Sequence, residues 1–299
     1  MKKLAPLLVI LAGCLWGTMG LSVRRFTEMG LGSLQVSEIR NIGAVVILLL
    51  FCLIRDRKSL KLRPKDLPIS ACSGVFSIVF FNYCYFRTIN MMDLSVAAIL
   101  LYTAPIFVML MSAVLFRERI TVRKAVALVL ALGGCCLVCG LVGSGVSISR
   151  LGLLLGLGSG FGYALYSIFT RVSLNRGMSS MSISFYTFVF AAVGAAFLAD
   201  FGEIAEAFRS YGMSLLLYSL LYALVTTALP YLLYTAGLMY LENGTASTIA
   251  SVEPVMATVL GFFVYSERPT ALTILGILLV LAALVLLNLR DSKSTTEEL

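Results

Sequence analysis

The sequence predicts an all-α integral membrane protein with ten transmembrane helices arranged as a 5+5 inverted-topology repeat. Three observations predict this class: an apolar composition, ten apolar runs long enough to span a bilayer, and an internal repeat of five runs. Of the 299 residues, 60% are hydrophobic and only 13% are charged. So few charges cannot cover the surface of a soluble domain, and a multi-pass membrane protein is therefore expected.

Ten apolar runs follow one another along the chain, separated by short polar breaks. A helix rises 1.5 Å per residue, so about 20 apolar residues cross the hydrocarbon core. Lys2 and Lys3 precede the first run and no cleavage-site pattern follows it, so we expect a retained helix rather than a signal peptide. The runs lie at 4–23, 34–54, 67–90, 94–116, 122–142, 151–171, 180–199, 212–239, 244–265 and 270–289.

The basic residues indicate how the helices are oriented. If the N-terminus is cytoplasmic, sixteen of the 23 Lys and Arg residues fall in cytoplasmic segments and five fall on the other side. This bias follows the positive-inside rule and predicts an inner or plasma membrane protein with both termini in the cytoplasm. It also accounts for the net charge of +8, so no nucleic-acid partner is expected.

The second half of the chain repeats the order of the marker residues in the first half. Asn82–Thr121 aligns without a gap with Tyr231–Thr270 at an offset of 149, with six of forty positions identical. Near the start of each half the offset is 147. In both copies a Glu-Arg pair precedes a threonine that is predicted to cap the next helix. The aligned pairs are Trp16 with Tyr163, Arg24 with Arg171, Gly30 with Gly177, Tyr85 with Tyr234, Asp93 with Glu242, Ala97 with Ala246, Pro105 with Pro254, Glu118 with Glu267, Arg119 with Arg268, and Thr121 with Thr270.

The repeat predicts the topology of the two halves. Five spans is an odd number, so the second half enters the membrane from the opposite face. We predict a first repeat at 1–142, a second repeat at 150–290 and a cytoplasmic tail at 291–299. Inverted repeats build many secondary transporters, whose substrate sites lie near the midplane between the halves.

Several short motifs carry a resemblance to a known family. They are LWGTMG at Leu15–Gly20, SEIRN around Arg40, GYALYS at Gly162–Ser167, and the proline-to-Glu-Arg spacing in both halves. In their joint order they resemble the ten-helix branch of the drug/metabolite transporter superfamily, the EamA-type exporters. The resemblance implies a 5+5 inverted repeat, cytoplasmic termini and export of metabolites such as amino acids. It leaves the substrate open, because relatives exchange sugar phosphates or nucleotide sugars.

Two charged residues within predicted spans are the main candidates for substrate binding. Glu253 lies about nine residues into its run, where an unpaired carboxylate costs at least about 2.5–3.5 kcal/mol. It is interpreted as a ligand for a substrate amine or a coupling proton, or else as a structural partner of Arg40 or Arg87. Arg40 is interpreted as a fork for a substrate carboxylate, or else as a residue that snorkels to the outer interface. Glu38 is expected at the interface.

The remaining candidates are prolines and aromatic or amide side chains. Pro105 and Pro254 cannot donate a backbone hydrogen bond, so each is predicted to kink its helix beside the cavity and to act as a hinge. Aromatic walls suit a flat and partly apolar metabolite, although ordinary helix packing is the alternative. The predicted lining residues are Trp16, Asn82, Tyr85, Tyr102, Tyr163, Tyr166, Tyr231 and Tyr234, together with Arg40 and Glu253.

The favoured function is therefore a secondary transporter that exports a small metabolite, with a small-molecule substrate, the bilayer and protons as its partners. One alternative is an exchanger of phosphorylated sugars or nucleotide sugars, which needs two or more basic residues in the cavity. Another is a membrane scaffold, which predicts no substrate-sized cavity near Trp16, Tyr102 and Tyr234. An enzyme is not expected, because the chain has no His and no G-x-S-x-G motif. The seven Cys lie in apolar runs, and neither a metal site nor a cofactor is expected.

Overall fold

The computed structural model describes residues 2–92, 94–139, 149–265 and 270–288. These residues are almost entirely helical, and no strand occurs among them. The helices are α1 Ala5–Gly17, α2 Met19–Glu28, α3 Ser33–Arg55, α4 Leu67–Cys72, α5 Phe80–Ile89, α6 Leu94–Leu101, α7 Ala104–Phe116, α8 Val122–Val138, α9 Arg150–Asn175, α10 Ser180–Ala195, α11 Phe201–Ala223, α12 Leu229–Leu238, α13 Asn243–Ala250, α14 Glu253–Tyr265 and α15 Ala271–Asn288. The predicted tail at 291–299 and the predicted pair Glu267-Arg268 lie outside the described residues.

Seven helical segments in the described ranges are long and apolar enough to cross a membrane. They are Ala5–Glu28, Ser33–Arg55, Pro64–Ile89, Val96–Phe116, Arg150–Asn175, Phe201–Leu238 and Asn243–Val264. Ser180–Ala195 and Ala271–Leu287 are shorter apolar helices. The chain is thus an all-helical protein with multiple apolar helices, as a multi-pass membrane protein requires.

One predicted break is helical instead. The segment after Asp200 was expected to be a polar loop, but it forms the first turns of α11. The Asp200 carboxylate accepts hydrogen bonds from the backbone of Gly202 at 2.7 Å and of Glu203 at 3.3 Å, which caps the helix. Its apolar side chains pack against Phe26 and Leu31. Gly212 then bends the helix, with a φ of 55° that favours glycine.

The helix contacts are nearly unchanged when the two halves are exchanged. The α1 helix of the first half packs against α12 and α14 of the second half. Correspondingly, α9 of the second half packs against α5 and α7 of the first half. Two further contacts join equivalent helices: α3 with α10, and α8 with α15. This pattern indicates an approximate two-fold relation between the halves.

Equivalent helices from the two halves run antiparallel where they meet. The end of α3 lies beside the start of α10, where the Ser59 and Ser179 hydroxyls are 2.7 Å apart. In the α8–α15 pair, Gly134 lies late in α8 and Gly276 lies early in α15. A Cβ on either glycine would come within 2.6 Å of the carbonyl oxygen of the other, so these helices cross in direct backbone contact.

The aligned turns have the same hydrogen bonds in both halves. Gly30 and Gly177 have φ values of 82° and 79°. In each turn, the N–H of the residue after the glycine donates to the carbonyl oxygen five positions earlier. These bonds join Leu31 N to Phe26 O and Met178 N to Ser173 O, both at 3.1 Å. Such left-handed caps are typical of glycine.

The predicted threonine caps are confirmed at both positions. The Thr121 hydroxyl accepts from Lys124 N at 3.3 Å, and the Thr270 hydroxyl accepts from Thr273 N at 3.2 Å.

The two halves also contain matching π-helical segments. At the offset of 149 residues, Leu224–Ala228 aligns with the last five residues of Ser73–Val79. Such segments often occur at functional sites, and both precede helices that supply site residues.

Candidate functional site

An aromatic cluster lies at the centre of the protein, between helices of both halves. Trp16 on α1 is 5% exposed and meets three tyrosines from the second half. Its ring centroid lies 6.1 Å from Tyr163, 5.1 Å from Tyr231 and 5.5 Å from Tyr234. Tyr166 joins the cluster at 4.8 Å from Tyr231. Five of the predicted lining residues are therefore brought together here.

The hollow inside this cluster is small. It is lined by the five aromatic residues together with Ser77 and Ser167, and it offers about 10 Å³, which is room for about one water. The substrate-sized cavity predicted near Trp16, Tyr102 and Tyr234 is thus not open here, and Tyr102 does not line the hollow. The aromatic rings pack edge to face and fill the space that a ligand would take.

Two tyrosine hydroxyls of the cluster are satisfied by neighbouring side chains. The Tyr166 hydroxyl is 2.7 Å from the Thr235 hydroxyl, and the Tyr234 hydroxyl is 2.7 Å from the Ser167 hydroxyl. Ser77, Ser167 and Thr235 were not identified from the sequence. Ser167 could have been found, because it lies four residues after Tyr163 on the same helix face.

Arg40 is buried beside the aromatic cluster. It is 3% exposed, and its Nη1 donates to the Met19 sulfur at 3.4 Å. Its Nε and Nη2 atoms have no hydrogen-bond partner in the described part of the chain. Its charge acts on the hydroxyls of Tyr222 and Tyr231. The Tyr222 hydroxyl also lies within side-chain hydrogen-bonding reach of the guanidinium.

Glu253 is the first residue of α14, directly after a break between α13 and α14. Its carboxylate is close enough to interact electrostatically with Arg40, Tyr85 and Tyr163. In the described ranges Arg40 and Glu253 do not form a direct ion pair. The site therefore brings a buried guanidinium and a partly buried carboxyl group near each other without a direct ion pair.

The other predicted lining residues lie around this centre. Asn82 is buried, and its amide donates to the Ser37 hydroxyl at 3.1 Å rather than reaching the hollow. The Tyr85 ring lies 6.1 Å from Phe81. Tyr102 lies in the turn between α6 and α7, within electrostatic range of Glu253.

Both predicted proline positions coincide with interruptions of the helix. Pro105 is the second residue of α7, and Pro254 is the second residue of α14. The carbonyl oxygens that each break exposes lie against a glycine of the other half. A Cβ at Gly160 would lie 3.2 Å from Leu101 O, and one at Gly13 would lie 3.0 Å from Ala250 O.

Two buried polar residues on α3 were missed. Glu38, which was expected at the interface, is 1% exposed and faces the protein interior. Asn41 is fully buried, and its side chain lies within hydrogen-bonding reach of the Glu38 carboxyl group. The sequence did not indicate their burial. The α3 helix is apolar and buried along much of its length, so its pattern does not show which polar side chains face the interior. No group of three His, Cys, Asp or Glu residues that could hold a metal occurs in the described ranges.

One family model matches both halves of the chain. The model of the EamA-like transporter family matches residues 3–140 and again residues 150–289. An uncharacterized transporter from Archaeoglobus fulgidus is 27% identical over 93% of this chain and 94% of its own. The threonine/homoserine exporter RhtA of Salmonella typhimurium is 27% identical over 68% of this chain and 65% of its own. A solved crystal structure superposes with a TM-score of 0.77 over 95% of this chain and 96% of that chain, at 15% identity, which speaks for the fold alone.

Proposed function

Since the chain belongs to the EamA-like transporter family, we propose that it exports a small zwitterionic metabolite, an amino acid or a related amphipathic compound, by alternating access. The observation that carries this proposal is the buried Arg40 with two free donors, set near the carboxylate of Glu253 but not paired with it. A zwitterion placed between them satisfies both charges at once, which neither residue achieves alone.

The proposed architecture is ten transmembrane helices in two inverted repeats of five. Three features support it: the two family matches, the contacts that survive exchange of the halves, and the antiparallel meeting of equivalent helices. In this arrangement the protein lies in the plasma membrane with both termini in the cytoplasm, because that orientation places most basic residues inside.

In the proposed mechanism each charged group binds one end of the substrate. The planar fork of Arg40 takes the carboxylate through Nε and Nη2. Glu253 takes the ammonium group, and its place at the start of α14 leaves the carboxylate in a favourable helix field. The aromatic cluster around Trp16 encloses the side chain. Because the hollow holds only about one water, the halves must separate before a substrate can enter.

The breaks at Pro105 and Pro254 serve as hinges in this proposal. Each break frees backbone carbonyls near the centre of the membrane, where only protein contacts satisfy them. Gly13 and Gly160 provide equivalent close contacts in the two halves. Movement about either break therefore disrupts equivalent contacts.

Threonine and homoserine are the first substrates to test, because RhtA carries those names and the hollow is lined by hydroxyl groups from Ser77 and Ser167. We also assign the coupling proton to Glu253, which would exchange it for the substrate amine. A pH gradient then accelerates transport in wild-type vesicles and has no effect in Glu253→Gln vesicles.

Transport of radiolabelled amino acids in proteoliposomes tests the proposal. We expect Arg40→Ala and Glu253→Gln each to lower the rate by about 100-fold, since each leaves one substrate charge buried without a partner. Arg87→Ala is the matched control, because Arg87 is exposed and lines an outer groove with Gln35 and Asn90. Undiminished transport in both site variants removes the assigned roles.

A further inference from the structure

The two halves are joined by polar contacts at one end of the bundle, which we call the basic end. It carries the loops 56–66, 117–121, 176–179 and 239–242. Across it, Arg63 donates to the Arg176 carbonyl at 2.6 Å, and Tyr186 donates to the Leu60 carbonyl at 2.6 Å. At the opposite end, Gln35 donates to the Glu203 carboxylate at 2.7 Å.

A second group of contacts at the basic end centres on Asn243, which is fully buried. Its backbone N–H donates to the Glu118 carboxylate at 2.9 Å, and the N–H of Gly244 donates to the same carboxylate at 3.3 Å. Glu118 belongs to the first half, whereas Asn243 begins α13 of the second half. The α13 helix has no cap from its own N-cap side chain, so the other half supplies the cap.

The side chain of Asn243 completes the group. Its Oδ1 accepts from Arg171 Nε at 2.9 Å, and its amide donates to the Ser167 carbonyl at 3.4 Å. Beside it, Lys124 of the first half forms an ion pair with Glu242 of the second half. The Lys124 side chain is 10% exposed, whereas the Glu242 side chain is 52% exposed, so the pair lies at the edge of the protein interior.

We infer that Glu118, Lys124, Arg171, Glu242 and Asn243 form a latch that holds the basic end closed and is released by movement of α13. The inference rests on the proposed alternating access. The α13 helix has eight residues and is about 12 Å long. It connects the latch at Asn243 to the break beside Glu253. A substrate that binds Glu253 and displaces α13 therefore also disturbs the contacts of Asn243.

Three latch residues have counterparts in the other copy of the repeat, because Glu118 aligns with Glu267, Arg171 with Arg24 and Glu242 with Asp93, whereas the other two do not. The position aligned with Asn243 is Leu94, and the position aligned with Lys124 is Thr273. The central amide and the lysine therefore belong to one end only.

Trp16 is the sole tryptophan of the chain and reports opening without any added label. It is 5% exposed at the centre of the closed halves, so acrylamide quenches its fluorescence weakly until one end opens. In purified full-length protein in detergent, we expect Glu118→Ala to raise the open population about tenfold, with a clear increase in the quenching constant. Glu118→Gln retains one acceptor oxygen and should give a smaller increase.

Two further variants keep the test independent of folding. The single variant Lys124→Glu should raise quenching. The double variant Lys124→Glu with Glu242→Lys, which restores opposite charges, should return quenching toward the wild-type value. Glu28→Gln is the matched control, because Arg25 and Glu28 form an exposed pair within one helix of one half. Wild-type quenching in folded Glu118→Ala and Lys124→Glu protein would overturn the latch.

The same assay separates the latch from the proposed substrate. Increased quenching in the latch variants, with no amino-acid transport by the wild type, supports the latch and rejects the substrate class. Unchanged quenching, with active transport, rejects the latch and leaves the proposed function intact.

Discussion

The contact between Gly134 and Gly276 gives a sharp prediction about how the two halves are held together. A methyl group at Gly134 would lie 2.6 Å from the Gly276 carbonyl oxygen, 2.7 Å from a Val280 methyl and 3.0 Å from Val280 N. Ordinary C–H···O contacts are about 3.3–3.6 Å long, so α8 and α15 must move apart by about 0.7 Å. Overpacking of this kind costs about 1–3 kcal/mol.

The neighbouring glycine supplies the control. Gly133 lies on the same helix, and a methyl group there meets nothing within 4 Å. Gly133→Ala should therefore be neutral or stabilising by up to about 1 kcal/mol through helix propensity. Thermal unfolding in detergent, followed by circular dichroism, should show a lower Tm for Gly134→Ala and for Gly276→Ala, and no loss for Gly133→Ala. Equal behaviour of Gly133→Ala and Gly134→Ala would refute the direct helix contact.

Two smaller stability effects follow from the matched turns. Thr121→Ala removes the cap on Lys124 N and should cost about 1 kcal/mol by thermal unfolding, while Thr121→Ser should retain most of it; equal losses would contradict the cap. Gly177→Ala forces a side chain into a φ of 79° and should cost about 1–2 kcal/mol, with Gly177→Asn less harmful; an unchanged Tm would show that this turn relaxes.

Much of the fold could be predicted from the sequence because the bilayer imposes simple rules. The length of each apolar run predicted where the helices lie, and glycine, proline and threonine indicated where they begin or end. The aligned residues Gly30 and Gly177 occupy equivalent turns, so even a repeat with low identity carried real structural information. The start of α11 could not be predicted in this way, because its polar residues follow an amphipathic surface pattern rather than a membrane-spanning one.

The site was predictable in its aromatic members and less so in its polar ones. Trp16 and Tyr163 stood out because tryptophan is unusual in mid-span and its repeat partner is also aromatic. The burial of Glu38 could not be predicted, because it depends on how α3 packs, which sequence spacing does not reveal. Asn243 was overlooked because its role comes from Glu118, a residue 125 positions away in the chain.

The central proposal is that a zwitterion binds between the halves, beside Trp16, with Arg40 and Glu253 at its two ends. Trp16 emission in the purified protein, titrated with threonine and separately with its methyl ester and its N-acetyl derivative, tests this most directly. We predict a saturable change with threonine and none with the two derivatives, each of which lacks one charge. Saturable transport of threonine with Trp16 emission unaltered, or equal responses to all three compounds, would contradict the proposal.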